Sequence, residues 1–240
     1  MDDTHSVVPV RVPPGQHLIF DCDDTLWENN VYFERAIDAF LDAVAHAALS
    51  REAAREVFND VERANTVEHG YGSLVFSRSL RDTYRQLAPG EVDEAELTRI
   101  ERLGTAILDQ ELELIPHVET TLSELGRRHT LTMLTKGQWD EQRLKVDRSG
   151  LKRYVHHVEI VAEKNVETYR AILATLGATP ERAWMVGNSP RSDINPALAA
   201  GMGAVFIPHD HTWVLEHEEV DDGGDRLIRL DRFVELLEHF

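Results

Sequence analysis

Cysteine is almost absent from this chain, because Cys22 is the only one among 240 residues. A single cysteine excludes an intrachain disulfide and favours an intracellular compartment. Long hydrophobic runs are missing as well, so we expect no segment to span a membrane. Residues 1–15 lack the basic stretch and apolar core of a signal peptide. These absences predict a cytoplasmic protein without a membrane partner.

Basic residues are scarce relative to acidic ones, 25 against 43, which leaves a formal net charge of −18. Because nucleic-acid phosphates are bound by basic surfaces, no nucleic-acid partner is expected. A small phosphorylated metabolite is not excluded, since it meets the local field of its own binding site. The composition, 42% apolar and 28% charged, is ordinary for a globular protein. The length suits one large or two modest domains, as a monomer or a homodimer.

Two aspartates, Asp21 and Asp23, follow the apolar run Leu18-Ile19-Phe20 at positions i and i+2. Such a run is typical of a buried central strand. Residues that leave such a strand enter the crevice at the carboxyl edge of the sheet, where α/β proteins bind ligands. Two crowded carboxylates require a cation or a shared proton. One of them can then act as a nucleophile while the other moves a proton.

Three further segments have the same form, a short apolar stretch that ends in a polar residue. Residues 130–137 lead to Thr135 and Lys136, and residues 158–164 lead to Lys164. Residues 183–193 form a strand-like stretch followed by Gly-Asn-Ser, with Asn188 and then Asp193.

These four segments, in this order, resemble the motifs of the haloacid dehalogenase-like hydrolases, in their phosphatase branch. The resemblance implies an α/β fold with a Rossmann-like parallel sheet core and helices on both faces. Residues 28–115 read mostly as amphipathic helices, over 32–47, 51–67, 74–87 and 93–114. This segment resembles the helical cap of one subgroup of the family. The expected domains are a catalytic core (1–27 and 116–240) and a cap (28–115).

The resemblance implies a Mg²⁺-dependent phosphatase that hydrolyses a small phosphate monoester. Asp21 would attack phosphorus and form an aspartyl-phosphate, while Asp23 would first donate a proton to the leaving group and then accept one from water. Thr135 and Lys164 would hold the phosphoryl oxygens, and Lys136 is expected beside them as a further substrate-binding residue. Magnesium would bind Asp21, the main-chain carbonyl of Asp23, and either Asn188 or Asp193.

Asn188 departs from the family pattern, which usually has aspartate after the glycine of the fourth motif. An asparagine offers a carbonyl oxygen without charge, so magnesium is expected to bind more weakly. Asp193 either ligates the ion directly or orients a neighbour of it, and the sequence leaves both open. The same departure keeps a scaffold protein with weak or no turnover as an alternative function.

Asp23 separates the reactions within the family, because the dehalogenases lack this acid/base carboxylate. A phosphomutase remains the alternative enzyme, in which a sugar hydroxyl replaces water as the phosphoryl acceptor. The natural substrate depends on cap contacts that the sequence does not place.

Several side chains have two interpretations. Tyr71, in the loop between the second and third cap helices, either contacts substrate or packs at a tight turn; Arg78 is a second substrate candidate. Trp27 belongs either to a flap beside the site or to the core between cap and sheet. Cys22 is expected to be a buried, inert thiol.

Two histidine pairs are weaker candidates for metal binding. The sequence His209-Asp210-His211 follows a predicted strand, but zinc sites usually need three or four spaced ligands. The pair His156-His157 is expected to face solvent.

Overall fold

The computed structural model describes residues 11–45, 49–88 and 90–240. Its core is a six-stranded sheet in which every strand pairs in parallel, in the order β3-β2-β1-β4-β5-β6. The strands are β1 (His17–Phe20), β2 (Thr130–Lys136), β3 (His157–Val161), β4 (Ala183–Gly187), β5 (Gly203–Phe206) and β6 (Leu227–Arg229). The predicted α/β fold is confirmed. The sequence also predicts an extended, proline-stiffened lead-in over residues 7–14, of which residues 7–10 lie outside the described residues.

Helices cover both faces of the sheet. Alternate side chains of a strand point to opposite faces, so a strand that is apolar throughout needs packing partners on both. Leu18 and Phe20 of β1 pack into one hydrophobic cluster, whereas Ile19 packs into another. The first cluster includes residues of α5 (Val118–Leu125), α6 (Trp139–Ser149) and α9 (Leu236–His239). The second includes residues of α7 (Val166–Leu176) and α8 (Asn195–Ala199).

Four helices are inserted between β1 and α5 and have a hydrophobic cluster of their own. They are α1 (Asn30–Ala43), α2 (Arg51–His69), α3 (Ser73–Leu87) and α4 (Glu94–Thr105). Phe40, Phe58 and Leu80 are fully buried in this cluster. Gly104 permits the close approach of α4 to α3, since a Cβ there would lie 2.7 Å from Cα of Ser77. We call α1–α4 the helical insert.

Two predicted helices are wrong in extent. The helix predicted over 93–114 ends at Thr105, and a 3₁₀ turn continues it to Asp109. Residues 113–115 instead pair with residues 26–28, just before α1, where Glu28 N donates to Glu113 O and Ile115 N donates to Leu26 O. The sequence also predicts a closing amphipathic helix over 231–240, but the structure has only one 3₁₀ turn and the short α9 there. No helix among the described residues is long and apolar enough to cross a membrane.

Candidate active site

The carboxyl ends of β1, β2, β3 and β4 deliver the predicted residues to one edge of the sheet. Asp21 follows β1 directly, and its backbone N–H still donates to Val186 O in β4. The chain then turns sharply, because Asp24 has a φ of 60°. Asp21, Asp23, Thr135, Lys164, Asn188 and Asp193 all line one cavity of about 150 Å³.

Lys164 is the central cation of this cavity and is 4% exposed. Its Nζ donates to Oδ1 of Asp21 and, at 2.8 Å, to Oδ1 of Asp193. Burial lowers the pKa of Lys164, but the two carboxylates outweigh it and hold that pKa well above its usual value. Burial, with Asp193 nearby, raises the pKa of Asp21 to about 7, and Lys164 opposes this rise. An additional cation would therefore stabilise the ionised form of Asp21.

Asp23 accepts hydrogen bonds from three side chains. Nε1 of Trp27 lies 2.7 Å from Oδ1 of Asp23, and Nε2 of Gln142 lies 3.0 Å from Oδ2. Nζ of Lys145 lies 2.9 Å from both oxygens. Burial would raise the pKa of Asp23, but Lys145 and the two hydrogen bonds lower it overall. Asp23 is thus held as a carboxylate in a fixed orientation.

Trp27 therefore combines the two interpretations that its sequence position allowed. Its ring is fully buried in the core cluster, and its indole N–H contacts the site. Bridges to Asp23 and Leu114 hold its backbone beside the end of β1.

Thr135 and Lys136, at the end of β2, have different surroundings. The buried hydroxyl of Thr135 donates to Oε1 of Gln142 at 2.9 Å. Nζ of Lys136 donates to Oε1 of Glu216 at 2.5 Å and to Ser192 Oγ at 2.8 Å. Both residues line the cavity, but Lys136 is already paired with the carboxylate of Glu216.

Asn188 and Asp193, after β4, face different partners. Oδ1 of Asn188 accepts from the hydroxyl of Thr25 at 3.3 Å, and the same hydroxyl lies 3.1 Å from Oδ2 of Asp21. Oδ2 of Asp193 accepts from Ser189 N at 3.0 Å, while its Oδ1 accepts from Lys164. The Asn188 oxygen therefore lies on the Asp21 side of the cavity, and both Asp193 oxygens are already bonded.

The helical insert contributes the opposite wall of the cavity. Tyr71 lies in this wall, where its hydroxyl donates to Glu163 Oε2 at 2.6 Å and its ring contacts Trp213 edge-on. The flanking glycines have φ of 82° and 121°, which favours glycine at both positions. Arg78 is exposed and lines a separate surface groove, so the structure does not bring it to the cavity.

The two histidine pairs have different surroundings. His209 lies near Asp24 and Glu28, and possible ligand atoms of the three side chains are within 4.8 Å of one another. Oδ1 of Asp24 already accepts from the backbone N–H groups of Asn29 and Asn30. His156 and His157 are exposed, as predicted.

Cys22 is fully buried, and burial raises the pKa of its thiol well above the usual value, as an inert cysteine requires.

This geometry accompanies a clear family match, since the model of the haloacid dehalogenase-like hydrolases matches residues 16–201. The chain belongs to this family. It is 36% identical over 100 residues to the phosphoserine phosphatase of Thermus thermophilus, a match that spans 39% of this chain and only 40% of that protein. It is 25% identical over 231 residues to the glyceraldehyde 3-phosphate phosphatase of Methanothermobacter thermautotrophicus, spanning 92% and 97% of the two chains. A haloacid dehalogenase-like family hydrolase from Xanthomonas campestris superposes with a TM-score of 0.78 at 26% identity, over 93% of each chain.

Sequence reasoning missed several side chains of this haloacid dehalogenase-like hydrolase. Gln142 and Lys145 both reach Asp23 from α6, and Glu216 reaches Lys136 from a loop after β5. The i, i+3 spacing of Gln142 and Lys145, just after the Thr135 strand, was an available signal that both face the site. No comparable spacing marks Glu216, because its position depends on the path of an irregular loop.

Proposed function

We propose that this hydrolase is a Mg²⁺-dependent phosphatase that cleaves a small phosphate monoester through an aspartyl-phosphate. One observation carries the proposal: the buried Asp21 contacts the cationic Lys164, with Asp23 two residues further along the same strand end. Similarity to two proteins named as phosphatases supports the reaction type.

Asp21 is the proposed nucleophile, because it directly follows β1 and its buried carboxylate lines the cavity beside Lys164. Lys164 contacts one of its oxygens and Thr25 the other. The phosphoryl group carries negative charge, so a nearby cation lowers its repulsion of the attacking carboxylate. Lys164 and Thr135 are placed to bind the phosphoryl oxygens, and Asp193 keeps Lys164 in position.

Asp23 is the proposed acid/base residue. In the first half of the reaction a proton must reach the departing alkoxide, and in the second half a water that attacks the aspartyl-phosphate must lose one. Asp23 is partly exposed to the cavity and oriented by three donors, which fixes the point of proton exchange. Its lowered pKa favours the carboxylate, which is the form that accepts the proton of the attacking water, and Asp23 must bind a proton before it serves as the acid in the first half.

The donor set also fits a hard divalent cation. The Asp21 carboxylate, the Asn188 amide oxygen and the main-chain carbonyl of Asp23 are the oxygen ligands that Mg²⁺ prefers. When bound, the ion would offset the charge of the carboxylates and of the substrate phosphoryl group. Asn188 is the proposed direct ligand, because its amide oxygen shares the hydroxyl of Thr25 with Asp21, whereas Lys164 and the backbone N–H of Ser189 occupy the two Asp193 oxygens. Asp193 then acts through Lys164.

The helical insert is the proposed cap, and residues 28–115 are its proposed bounds. Its side chains form the wall opposite Asp21, with Tyr71 and Phe76 among them. Such an element excludes water and selects the leaving group. Release of phosphate from a panel of phosphorylated metabolites, measured with Mg²⁺ and again after chelation with EDTA, tests the proposal. Absence of turnover for every ester in the presence of Mg²⁺ would refute it.

A further inference from the structure

Glu62 of α2 is a buried acid in the wall of the active-site cavity. It is 6% exposed and lines the same cavity as Asp21 and Lys164. Among the described residues, it is the one charged side chain that α1–α4 contribute to this wall. The proposed reaction does not use it, since the phosphoryl-binding residues come from the sheet.

Glu62 has few partners for a buried carboxyl group. Oε2 accepts from Nε1 of Trp213 at 3.0 Å, and this is its one hydrogen bond among the described residues. Arg55, which lowers the pKa of Glu62 electrostatically, is bonded to both oxygens of Glu34, at 2.7 and 2.8 Å. Burial raises the pKa of Glu62 to about 7, although the Trp213 hydrogen bond and Arg55 lower it and Glu34 raises it further. Oε1 of Glu62 is therefore available to accept a hydrogen bond from a donor in the cavity.

The cationic side chains that line the cavity already contact carboxylates of the protein. Among the described residues they are Lys136, Lys145 and Lys164, all from the core, and each is bonded to a carboxylate. The insert adds no cation to the wall. A second anionic group on the substrate would face Glu62 without a free positive partner, at an electrostatic cost.

We propose that Glu62 determines specificity by binding a hydrogen-bond donor, an ammonium or a hydroxyl, on the leaving group of the substrate. The substrate class is then a phosphate monoester of a small alcohol that carries such a donor and no second anionic group. This inference rests on the proposed phosphatase function, and it adds the recognition of the alcohol to the chemistry at Asp21.

Four esters with leaving groups of similar size test the proposal: 2-aminoethyl, 2-hydroxyethyl, propyl and carboxymethyl phosphate, with p-nitrophenyl phosphate as a generic substrate. For the wild type we expect kcat/KM to be at least about 10-fold higher on the first two than on propyl phosphate, because a site built around an acceptor discriminates against a ligand without the donor. Carboxymethyl phosphate should be the poorest of the four.

The variant Glu62→Gln keeps the shape of the side chain and removes its charge. We expect it to lose the preference for the ammonium ester by about 10-fold or more and to retain part of the preference for the hydroxyl ester, since a hydroxyl, unlike an ammonium, can also accept a hydrogen bond from the amide NH₂. The rates on propyl and p-nitrophenyl phosphate should stay within about twofold. Glu68→Gln, on the same helix but exposed, is the matched control and should match the wild type on every ester. Thermal unfolding of each variant shows whether the fold is retained.

The pH dependence supplies a second measurement. Only the ionised carboxylate pairs with an ammonium group, so the ratio of kcat/KM for 2-aminoethyl over propyl phosphate should rise as pH increases through about 7. Glu62→Gln should abolish this rise. Arg55 and Glu34 also act on Glu62, but their contact persists in the variant, so they do not generate the difference.

The outcomes separate the two proposals. If the wild type hydrolyses no ester, including p-nitrophenyl phosphate, the phosphatase function fails. If it hydrolyses them without a preference for donors, or if Glu62→Gln slows all esters equally, the specificity role of Glu62 is wrong and the phosphatase function stands. Glu62→Gln removes the repelling charge, so it should cleave carboxymethyl phosphate faster than the wild type does. If it does not, the argument that Glu62 repels a second anionic group is wrong.

Discussion

Nζ of Lys145 lies 2.9 Å from both carboxylate oxygens of Asp23 and 2.7 Å from Oδ1 of Asn29. This single ammonium group therefore connects three parts of the molecule: the end of β1, helix α6 and the start of the helical insert. Because the contact with Asp23 is made to both oxygens, it sets the plane of the carboxylate as well as its position. The orientation of the proposed acid/base residue thus depends on helix α6.

Lys145→Gln should lower kcat by about 10-fold or more, because a small misplacement of a catalytic group is costly. The KM for p-nitrophenyl phosphate should change less than kcat, since the proposed phosphoryl-binding residues Lys164 and Thr135 are unchanged in this variant. Lys152→Gln, an exposed lysine, provides the control. Steady-state kinetics on both variants make the comparison, and a wild-type kcat for Lys145→Gln would exclude the positioning role.

Asp21→Asn should abolish turnover, by about 10³-fold or more, as removal of a nucleophile does. The fold should persist, because asparagine has nearly the same shape and Asp21 pays a cost of burial when charged. Activity assays combined with thermal unfolding distinguish loss of the nucleophile from loss of the fold. A folded variant with substantial turnover would remove Asp21 from the mechanism.

Asp23→Asn should slow esters in proportion to the basicity of their leaving group. General acid catalysis contributes about 10²–10⁴-fold and matters little when the alcohol is already acidic. The loss should therefore be larger for propyl phosphate than for p-nitrophenyl phosphate. Equal losses on the two esters would contradict the role of Asp23 as proton donor.

The strand ends of this site could be predicted from the sequence, whereas the side chains that support them could not. Buried parallel strands have a strong hydrophobic signature, so Asp21 and Thr135 are visible as the polar residues at which such runs end. Lys145 and Glu216 reach the site through tertiary packing. Tertiary contacts also explain why the helix predicted over 93–114 is longer than the helix in the structure. Its last residues carry helical periodicity, but the backbone of 113–115 pairs with residues distant in the chain, and tertiary contacts override local preference.

Asn188→Asp should tighten the apparent affinity for Mg²⁺ if Asn188 is a direct ligand, because it adds a charge to the donor set. The measurement is activity as a function of Mg²⁺ concentration after removal of metal with EDTA. Asp193→Asn is the companion variant, and it should reduce kcat through the loss of the Lys164 contact. An unchanged Mg²⁺ titration for Asn188→Asp would place Asn188 outside the direct ligands and favour Asp193.

A buried histidine far from the cavity should make the stability of the fold depend on pH. His129 is 5% exposed, its Nδ1 accepts from the backbone N–H of Gln16 at 3.3 Å, and its Nε2 has no hydrogen-bond partner among the described residues. Burial, assisted by Arg128, lowers the pKa of His129 to about 4. The folded state therefore keeps the ring neutral at pH values where the unfolded chain has already bound a proton.

The sign of the effect follows from the two pKa values. Above the ordinary pKa of histidine, about 6.5, both states are neutral and the contribution is complete. As pH falls from there towards 4, the unfolded state gains a proton that the folded state refuses, so the free energy of unfolding decreases. Between about pH 7.5 and pH 5 the wild type should lose about 1–2 kcal/mol more than His129→Phe, which retains a ring against Phe240 but cannot titrate. Urea unfolding at the two pH values measures this difference, and the exposed His157→Gln serves as the control that should behave like the wild type. His129→Phe also loses the hydrogen bond from Gln16, which changes its stability at every pH. The quantity compared between the proteins is therefore the change in the free energy of unfolding from about pH 7.5 to about pH 5. An equal loss for wild type and His129→Phe would show that His129 does not carry the acid sensitivity.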